Sequence, residues 1–209
     1  MQLIGMLDSP YVRRVAISLQ LLGLPFEHRS VSVFRGFDEF RRINPVVKAP
    51  TLVCDDGSVL MDSTLITEYA EALAAPRSLM PVAIAERLRT LRLTGLALAA
   101  CEKSVQIVYE RNTRPPEKQH EPWVARVEGQ LRAALVEIDA ELTRRPLACT
   151  SAAIDQAGVT CAVVWNFVRE VQPELASAAQ HPALDAHWAQ AEQLREFRNA
   201  PHGDGIVAR

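Results

Sequence analysis

Over the first eighty residues, apolar positions switch repeatedly between a period of two and a period near 3.6. The run QLIGML after Met1 has the length and bulk of a short strand. Val12, Val15, Ala16, Leu19 and Leu22 then fall on one helical face, and Gly23 with Pro25 closes that helix. FEHRSVSV alternates as a second strand, and FDEFRRIN predicts a short helix. PTLVCDDGSVLM predicts a hairpin, two apolar runs about Asp55, Asp56 and Gly57. DSTLITEYAEALA returns to helical spacing, so the order is β-α-β-α-β-β-α.

After AAPRSLMP the strand signal stops. Residues 83–109 predict one long helix, with Ile84, Leu88, Leu91, Gly95 and Leu98 as its apolar stripe. Val124, Val127, Leu131, Leu135, Ile138 and Leu142 mark a second helix; Ile154, Ala157, Cys161, Val164, Trp165 and Val168 mark a third. Residues 182–197 predict a fourth, with Pro115, Pro116, Pro146, Pro173 and Pro182 as punctuation. A parallel first pair followed by a hairpin and helix is the order of the thioredoxin-like fold. The expected organisation is therefore α/β plus all-α: a thioredoxin-like domain over 1–76, a linker over 77–82 and a helical bundle over 83–209. The tail NAPHGDGIVAR has no period and is expected to be poorly ordered.

Composition narrows the class. Of 209 residues 48% are hydrophobic and 23% charged, which suits a chain able to bury a core rather than a disordered one. The net charge of -2, the pI of about 6.2 and the lack of a Lys/Arg block argue against a nucleic-acid partner. No apolar stretch approaches ~18 residues and the N-terminus lacks a positively charged leader, so neither a membrane span nor secretion is expected. Cys54, Cys101, Cys149 and Cys161 are scattered, without a C-x-x-C or metal-ligand spacing. The expectation is four free thiols in a reducing cytoplasm, and no metal. His28, His120, His181, His187 and His202 provide no motif for a serine triad, and there is no phosphate-binding glycine loop.

Four local features remain. Ser9 before Pro10 is a structural helix start, a cap followed by proline at the first helical position. Pro50, opening the strand after NPVVKA, either starts that strand or adopts the cis isomer, which would turn the Ala49 backbone outward to pair with an extended, peptide-like ligand. Asp62 and Ser63 open the helix after the hairpin. They read as a cap, or as a site where helix-end amides meet a carboxylate while Asp62 meets an ammonium. Lys48 is a cation beside Ala49, and alone it carries little meaning.

In order and spacing, SPYVRRV, INPVVKAPTLV and VLMDSTLITEYAE resemble the glutathione-binding half of the glutathione transferase family. The LMP linker, the helical second half and FRNAP near the end extend the resemblance over nearly the whole chain. It implies that Ser9 donates its hydroxyl to the glutathione sulfur and that Ala49, ahead of a cis Pro50, pairs with the cysteinyl part. It further implies that Lys48 faces the glycyl end and that Asp62 and Ser63 hold the γ-glutamyl head. Relatives commonly carry Glu where this chain has Asp62, so that contact is a methylene shorter. Met6 and Leu7 stand where tyrosine-type members place a catalytic Tyr, and Ser9 stands where others use Cys. The chain therefore resembles serine-type members, tau-like and bacterial. Tyr11, Tyr109, Arg111 and Trp165 are the residues the family's architecture offers to the electrophile, although Trp165 also fits a helical core stripe. Around Asp155 the pattern departs: Ala152 stands where relatives have a capping Ser or Thr.

A helix end contributes about 0.3–1 kcal/mol and a hydrogen bond to a charged sulfur about 1.5–3 kcal/mol. Together they lower a thiol pKa of about 8.5 by roughly one to three units, enough for thiolate near neutrality without a general base. The resemblance thus implies a cytoplasmic, homodimeric enzyme using glutathione as co-substrate and adding it to a small hydrophobic electrophile. The alternatives are a glutathione-dependent peroxidase or dehalogenase at the same site, and a silent binding protein on the same fold, either a ligand carrier or a transcription-associated factor.

Overall fold

The computed structural model describes residues 1–208. Among them the chain forms four strands and eight α-helices, in two compact units: Met1–Met80 together with the segment from Glu192 onward, and Pro81–Ala191.

The first unit runs β1 (Gln2–Ile4), α1 (Pro10–Leu21), β2 (Glu27–Arg29), α2 (Phe37–Ile43), β3 (Thr51–Val53), β4 (Val59–Met61) and α3 (Ser63–Ala74). The sheet order is β2-β1-β3-β4. A parallel neighbour needs a crossover, and α1 supplies it: β1 lies parallel to β2 with Leu3 opposite His28. It is antiparallel to β3, with Leu3 opposite Leu52, and β3 and β4 form the expected hairpin, Leu52 opposite Leu60. Gly57 closes the hairpin at φ +85°, where the Cys54 N–H donates to Ser58 O at 2.8 Å. This is a thioredoxin-like domain. The expected second strand is cut to three residues because Ser32 bends the chain. Its Oγ accepts from the N–H groups of Phe34 and Arg35 at 3.2 and 3.1 Å.

Helix α1 is buried on every side from Val12 to Leu19, and Gly23 at φ +73° ends it. The Gly23 N–H reaches Gln20 O and the Leu24 N–H reaches Leu19 O, both at 3.0 Å, the double bond of a Schellman stop. Full burial obliges Arg13 to find partners. Its fork holds both Glu192 oxygens at 2.8 and 2.7 Å, and its Nε donates to Ala200 O at 2.7 Å. These bonds hold the segment from Glu192 onward in the first unit, whereas the sequence pattern kept 83–209 together. The tail also differs from expectation. Val207 N–H donates to His28 Nδ1 at 3.1 Å, Ser30 Oγ to Asp204 O at 2.7 Å, and Ala208 N–H to Asn199 O at 2.7 Å. These three bonds pin the tail, two of them to the β2 region, without forming a periodic element.

The second unit contains α4 (Ile84–Thr113), a 3-10 turn (Pro116–Lys118), α5 (Glu121–Arg144), α6 (Gln156–Val171) and α7 (Pro182–Ala191). The fourth predicted helix stops at Ala191, and only Arg195–Arg198, in the first unit, resumes as α8. Helix α6 is buried from Gln156 to Val168, and α4, α5 and α7 pack within this bundle. The predicted stripe of α4 is out of phase. Ile84, Leu88 and Leu91 are 82%, 69% and 54% exposed, whereas Thr90, Leu93, Thr94, Ala97, Ala100, Cys101 and Ser104 face inward. Small residues on the inner face let α4 approach α6 closely, and Ser104 finds a partner in Gln172, whose Nε2 donates to Ser104 O at 3.0 Å. At the start of α6, Asp155 itself is the cap in place of the missing upstream Ser or Thr. Its Oδ1 accepts from Gly158 N–H at 2.9 Å and its Oδ2 from Thr90 Oγ1 at 2.6 Å. Among the described residues no helix is long and apolar enough to cross a membrane.

Candidate functional site

Ser9 occupies the cap position of α1 with extended backbone, φ -73° and ψ 119°. Its carbonyl accepts from Arg13 N–H at 2.9 Å. Its hydroxyl makes no cap bond among the described residues, so the combined role expected of it divides: the backbone and Pro10 start the helix, and the side chain takes no part in the cap. Gly5, where β1 ends, has φ +137°, and a Cβ there would lie 2.6 Å from Val12 Cγ2 and 3.2 Å from Ala49 Cβ. Only glycine allows this convergence of β1, α1 and the loop before β3. Nothing in the residue pattern flags it.

The Ala49–Pro50 bond is cis, the second of the two readings open for that segment. Pro50 is buried and Ala49 half-buried. Among the described residues the Ala49 backbone takes no part in the ladder or in any loop hydrogen bond. The turn before it is held by Asn44, whose Nδ2 donates to Thr51 Oγ1 at 2.8 Å, and by Thr51 Oγ1, which donates to Lys48 O at 2.7 Å. Lys48 is exposed, its Nζ 3.9 Å from Asp62 Oδ2, a pair worth little by itself.

Asp62 caps α3 at φ 64°, with Oδ1 accepting from Thr64 N–H at 2.8 Å. The carboxylate thus turns back on its own helix end, leaving Oδ2 toward Lys48. Ser63 is 1% exposed, and its Oγ accepts from Arg14 Nη1 at 3.2 Å. Arg14 also donates to Thr64 Oγ1 at 3.3 Å and is 3% exposed. A buried guanidinium behind the start of α3 adds positive charge to a helix end that already favours anions. Sequence reasoning missed Arg14. The available signal was two adjacent arginines set among the apolar Val12, Val15, Ala16 and Ile17 of one helix.

Charges near Ser9 are few. Desolvation lifts the Asp8 carboxyl above its ordinary value, with His202 and Arg35 pulling it back. His28 is held from both sides: Nδ1 accepts from Val207 N–H, so Nε2 carries the proton and donates to Gly5 O at 2.7 Å. Burial pushes its pKa down. Cys54, Cys101, Cys149 and Cys161 lie outside any disulfide. Burial raises Cys54 and Cys149, and Cys161 is pushed up to about 12. None of these three is an activated nucleophile. Among the described residues no group of three or more His, Cys, Asp or Glu is arranged to hold a metal ion.

The residues offered to the electrophile are dispersed. Tyr11 is half-buried on the first turn of α1. Tyr109 is 45% exposed on α4. Arg111 is committed to Glu121, with Nη2 donating to Oε2 at 2.9 Å. Trp165 is 0% exposed, and its Nε1–H donates to Asp185 Oδ1 at 3.0 Å. It is therefore a core residue of the second unit and is removed from the pocket, because its indole has no surface left for a ligand.

Residues 3–78 match the family model described as glutathione S-transferase, N-terminal domain. The chain is 27% identical over 173 residues to an uncharacterized GST-like protein, YibF, of Escherichia coli K12, covering 83% of this chain and 85% of that one. A Methylobacterium radiotolerans glutathione S-transferase, solved with glutathione sulfonate, superposes with a TM-score of 0.87 at 26% identity, over 100% of this chain and 98% of that one. A Pseudomonas fluorescens glutathione transferase family member, solved with glutathione, gives 0.80 at 28% identity over 97% and 98%. With its first unit matching that domain and its whole length sharing that fold, the chain belongs to the glutathione S-transferase superfamily.

Proposed function

We propose that this protein is a serine-type glutathione transferase that binds glutathione on its first unit, holds the thiol as thiolate and adds it to a small hydrophobic electrophile. The observation that carries the reading is the Ser9 hydroxyl, stationed at the N-terminus of α1 and left out of the helix cap. In this scheme the hydroxyl donates to the sulfur and keeps its own proton. The Ala49 backbone pairs with the cysteinyl unit, and Lys48 meets the glycyl carboxylate. Asp62 Oδ2 takes the γ-glutamyl ammonium, while the Ser63 O–H, with Arg14 behind it, meets the carboxylate of the same head group. Tyr11, in the first turn of the same helix, contacts the electrophile. Glutathione is the sole co-substrate, and the role is detoxifying conjugation.

A cytoplasmic homodimer is part of the proposal. Four cysteines outside any disulfide suit a reducing compartment. Apolar faces left open on α3 (Leu65 56%, Leu73 46% exposed) and on α4 (Ile84, Leu88, Leu91) suit coverage by a second copy. Sedimentation equilibrium reads the assembly directly, and a monomer overturns that part.

The function itself is tested by the pKa of bound glutathione, from thiolate absorbance against pH, in wild type and Ser9→Ala. The expected result is a depressed pKa in wild type that rises by about one to two units in the variant. Binding with the same pKa in both proteins overturns the role of Ser9, and no binding at all overturns the proposed function.

A further inference from the structure

Both backbone groups of Gly5 are held from the side of β2. Its N–H donates to Arg29 O at 3.1 Å, one rung past the paired residues of β1 and β2. Its carbonyl accepts from His28 Nε2 at 2.7 Å. The surroundings of Gly5 are the residues assigned to glutathione. A Cβ on Gly5 would meet Val12 Cγ2 at 2.6 Å and Ala49 Cβ at 3.2 Å. The next carbonyl, Met6 O, accepts from Ser9 N–H at 3.2 Å. A shift of the Gly5 peptide therefore disturbs Ala49 and the start of α1 together.

Backbone carbonyls are mostly satisfied by other backbone groups or by water. Here an imidazole on the edge strand of the sheet does it, and the ring has no choice of which nitrogen donates. Val207 N–H occupies Nδ1 at 3.1 Å, so the proton sits on Nε2. The tail that supplies Val207 is tied to the end of the same strand, where Ser30 Oγ donates to Asp204 O at 2.7 Å. His28 is thus a strut with one end on the C-terminal tail and the other on the turn between β1 and α1.

We propose that His28 is a positioning residue of the glutathione site: its ring, oriented by Val207 N–H, holds the Gly5 carbonyl and thereby keeps Ala49 and Ser9 in place for the cysteinyl unit. This role rests on glutathione binding as proposed above. Two substitutions split the ring. Gln offers a donor near the position of Nε2, and Asn offers an acceptor near that of Nδ1. His28→Gln keeps the bond to Gly5 and gives up the one to Val207, whereas His28→Asn does the reverse. In calorimetric titration of the full chain with glutathione, Gln stays within about twofold of wild type and Asn binds at least about fivefold more weakly. Each variant gives up one hydrogen bond, so a purely structural role weakens both alike. Coupling is reciprocal: in wild type, saturating glutathione slows solvent exchange of the His28 Nε2 proton at least about fivefold, read by NMR of the labelled ring. An Asn variant with wild-type affinity, a Gln variant as weak as Asn, or an exchange rate unchanged by glutathione overturns the proposal while leaving the glutathione site intact. Failure of wild type to bind glutathione overturns the proposed function and this role with it. Should His28→Asn fail to fold, the exchange measurement on wild type decides alone.

Discussion

Replacing Asp155 with Ala removes two bonds at the start of the most buried helix of the second unit. Gly158 N–H loses its acceptor, the ordinary loss of a cap, which costs about 1 kcal/mol with a range of roughly 0.5–2. Thr90, 3% exposed, loses the partner of its hydroxyl, and a stranded buried donor costs about 1–3 kcal/mol. The sum is about 2–4 kcal/mol. Asp155→Asn keeps an oxygen for Gly158 and an amide opposite Thr90, whose hydroxyl then turns to accept, so this variant loses less than about 1 kcal/mol. The three tryptophans, Trp123, Trp165 and Trp188, all lie in the second unit, so urea unfolding followed by tryptophan fluorescence reads that unit. The midpoint falls at constant slope if stability alone has changed. In the double variant with Thr90→Val the cost is smaller than the sum of the single costs by about 1 kcal/mol, because the two side chains share one bond. A loss below about 0.5 kcal/mol for Ala, or an Asn variant as weak as Ala, refutes the assignment of Asp155 as a working cap.

Other consequences concern pH and the first unit. Burial lowers the pKa values of His28, His181 and His187 below 6.5. Between 6.5 and those lowered values the unfolded chain binds more protons than the folded one, so stability is full above 6.5 and declines as pH falls below it. Urea midpoints at pH 7.5 and 5.5 check this, and a midpoint that rises on acidification contradicts it. Gly5→Ala places a Cβ at φ +137° and 2.6 Å from Val12 Cγ2, for a loss of about 1–3 kcal/mol in thermal unfolding. It also weakens glutathione binding, because Val12 and Ala49 must move apart, and an unchanged melting temperature contradicts the close approach.

Periodicity was enough to locate most elements because it is a local property. Strand bulk at residues 2–4, a Gly-closed helix after Ser9, a hairpin about Gly57 and helical spacing in the second half all follow from residues a few positions apart. Phase was not local. In α4 two stripes compete, one of leucines and isoleucine and one of Thr90, Thr94, Ala97 and Cys101. The inner one was chosen by close packing against α6, a partner about seventy residues away. The destination of the segment after Ala191 was equally hidden, since it depends on Arg13 needing Glu192 and the Ala200 carbonyl.

The candidate site divides in the same way. Ser9, Lys48, Ala49, Pro50, Asp62 and Ser63 were visible as residue types at a spacing, because helix starts and proline turns are written locally. Their states were not visible. That Ser9 leaves its hydroxyl out of the cap, that Asp62 turns back on Thr64, that Arg14 stands behind Ser63 and that Trp165 is sealed in the core all depend on neighbours brought in by the fold. Sequence by itself determined the elements and the chemical inventory, since each rests on a few adjacent side chains. Tertiary structure alone decided which faces are buried and which polar atoms remain unpaired, since burial and hydrogen bonding are settled by residues distant along the chain.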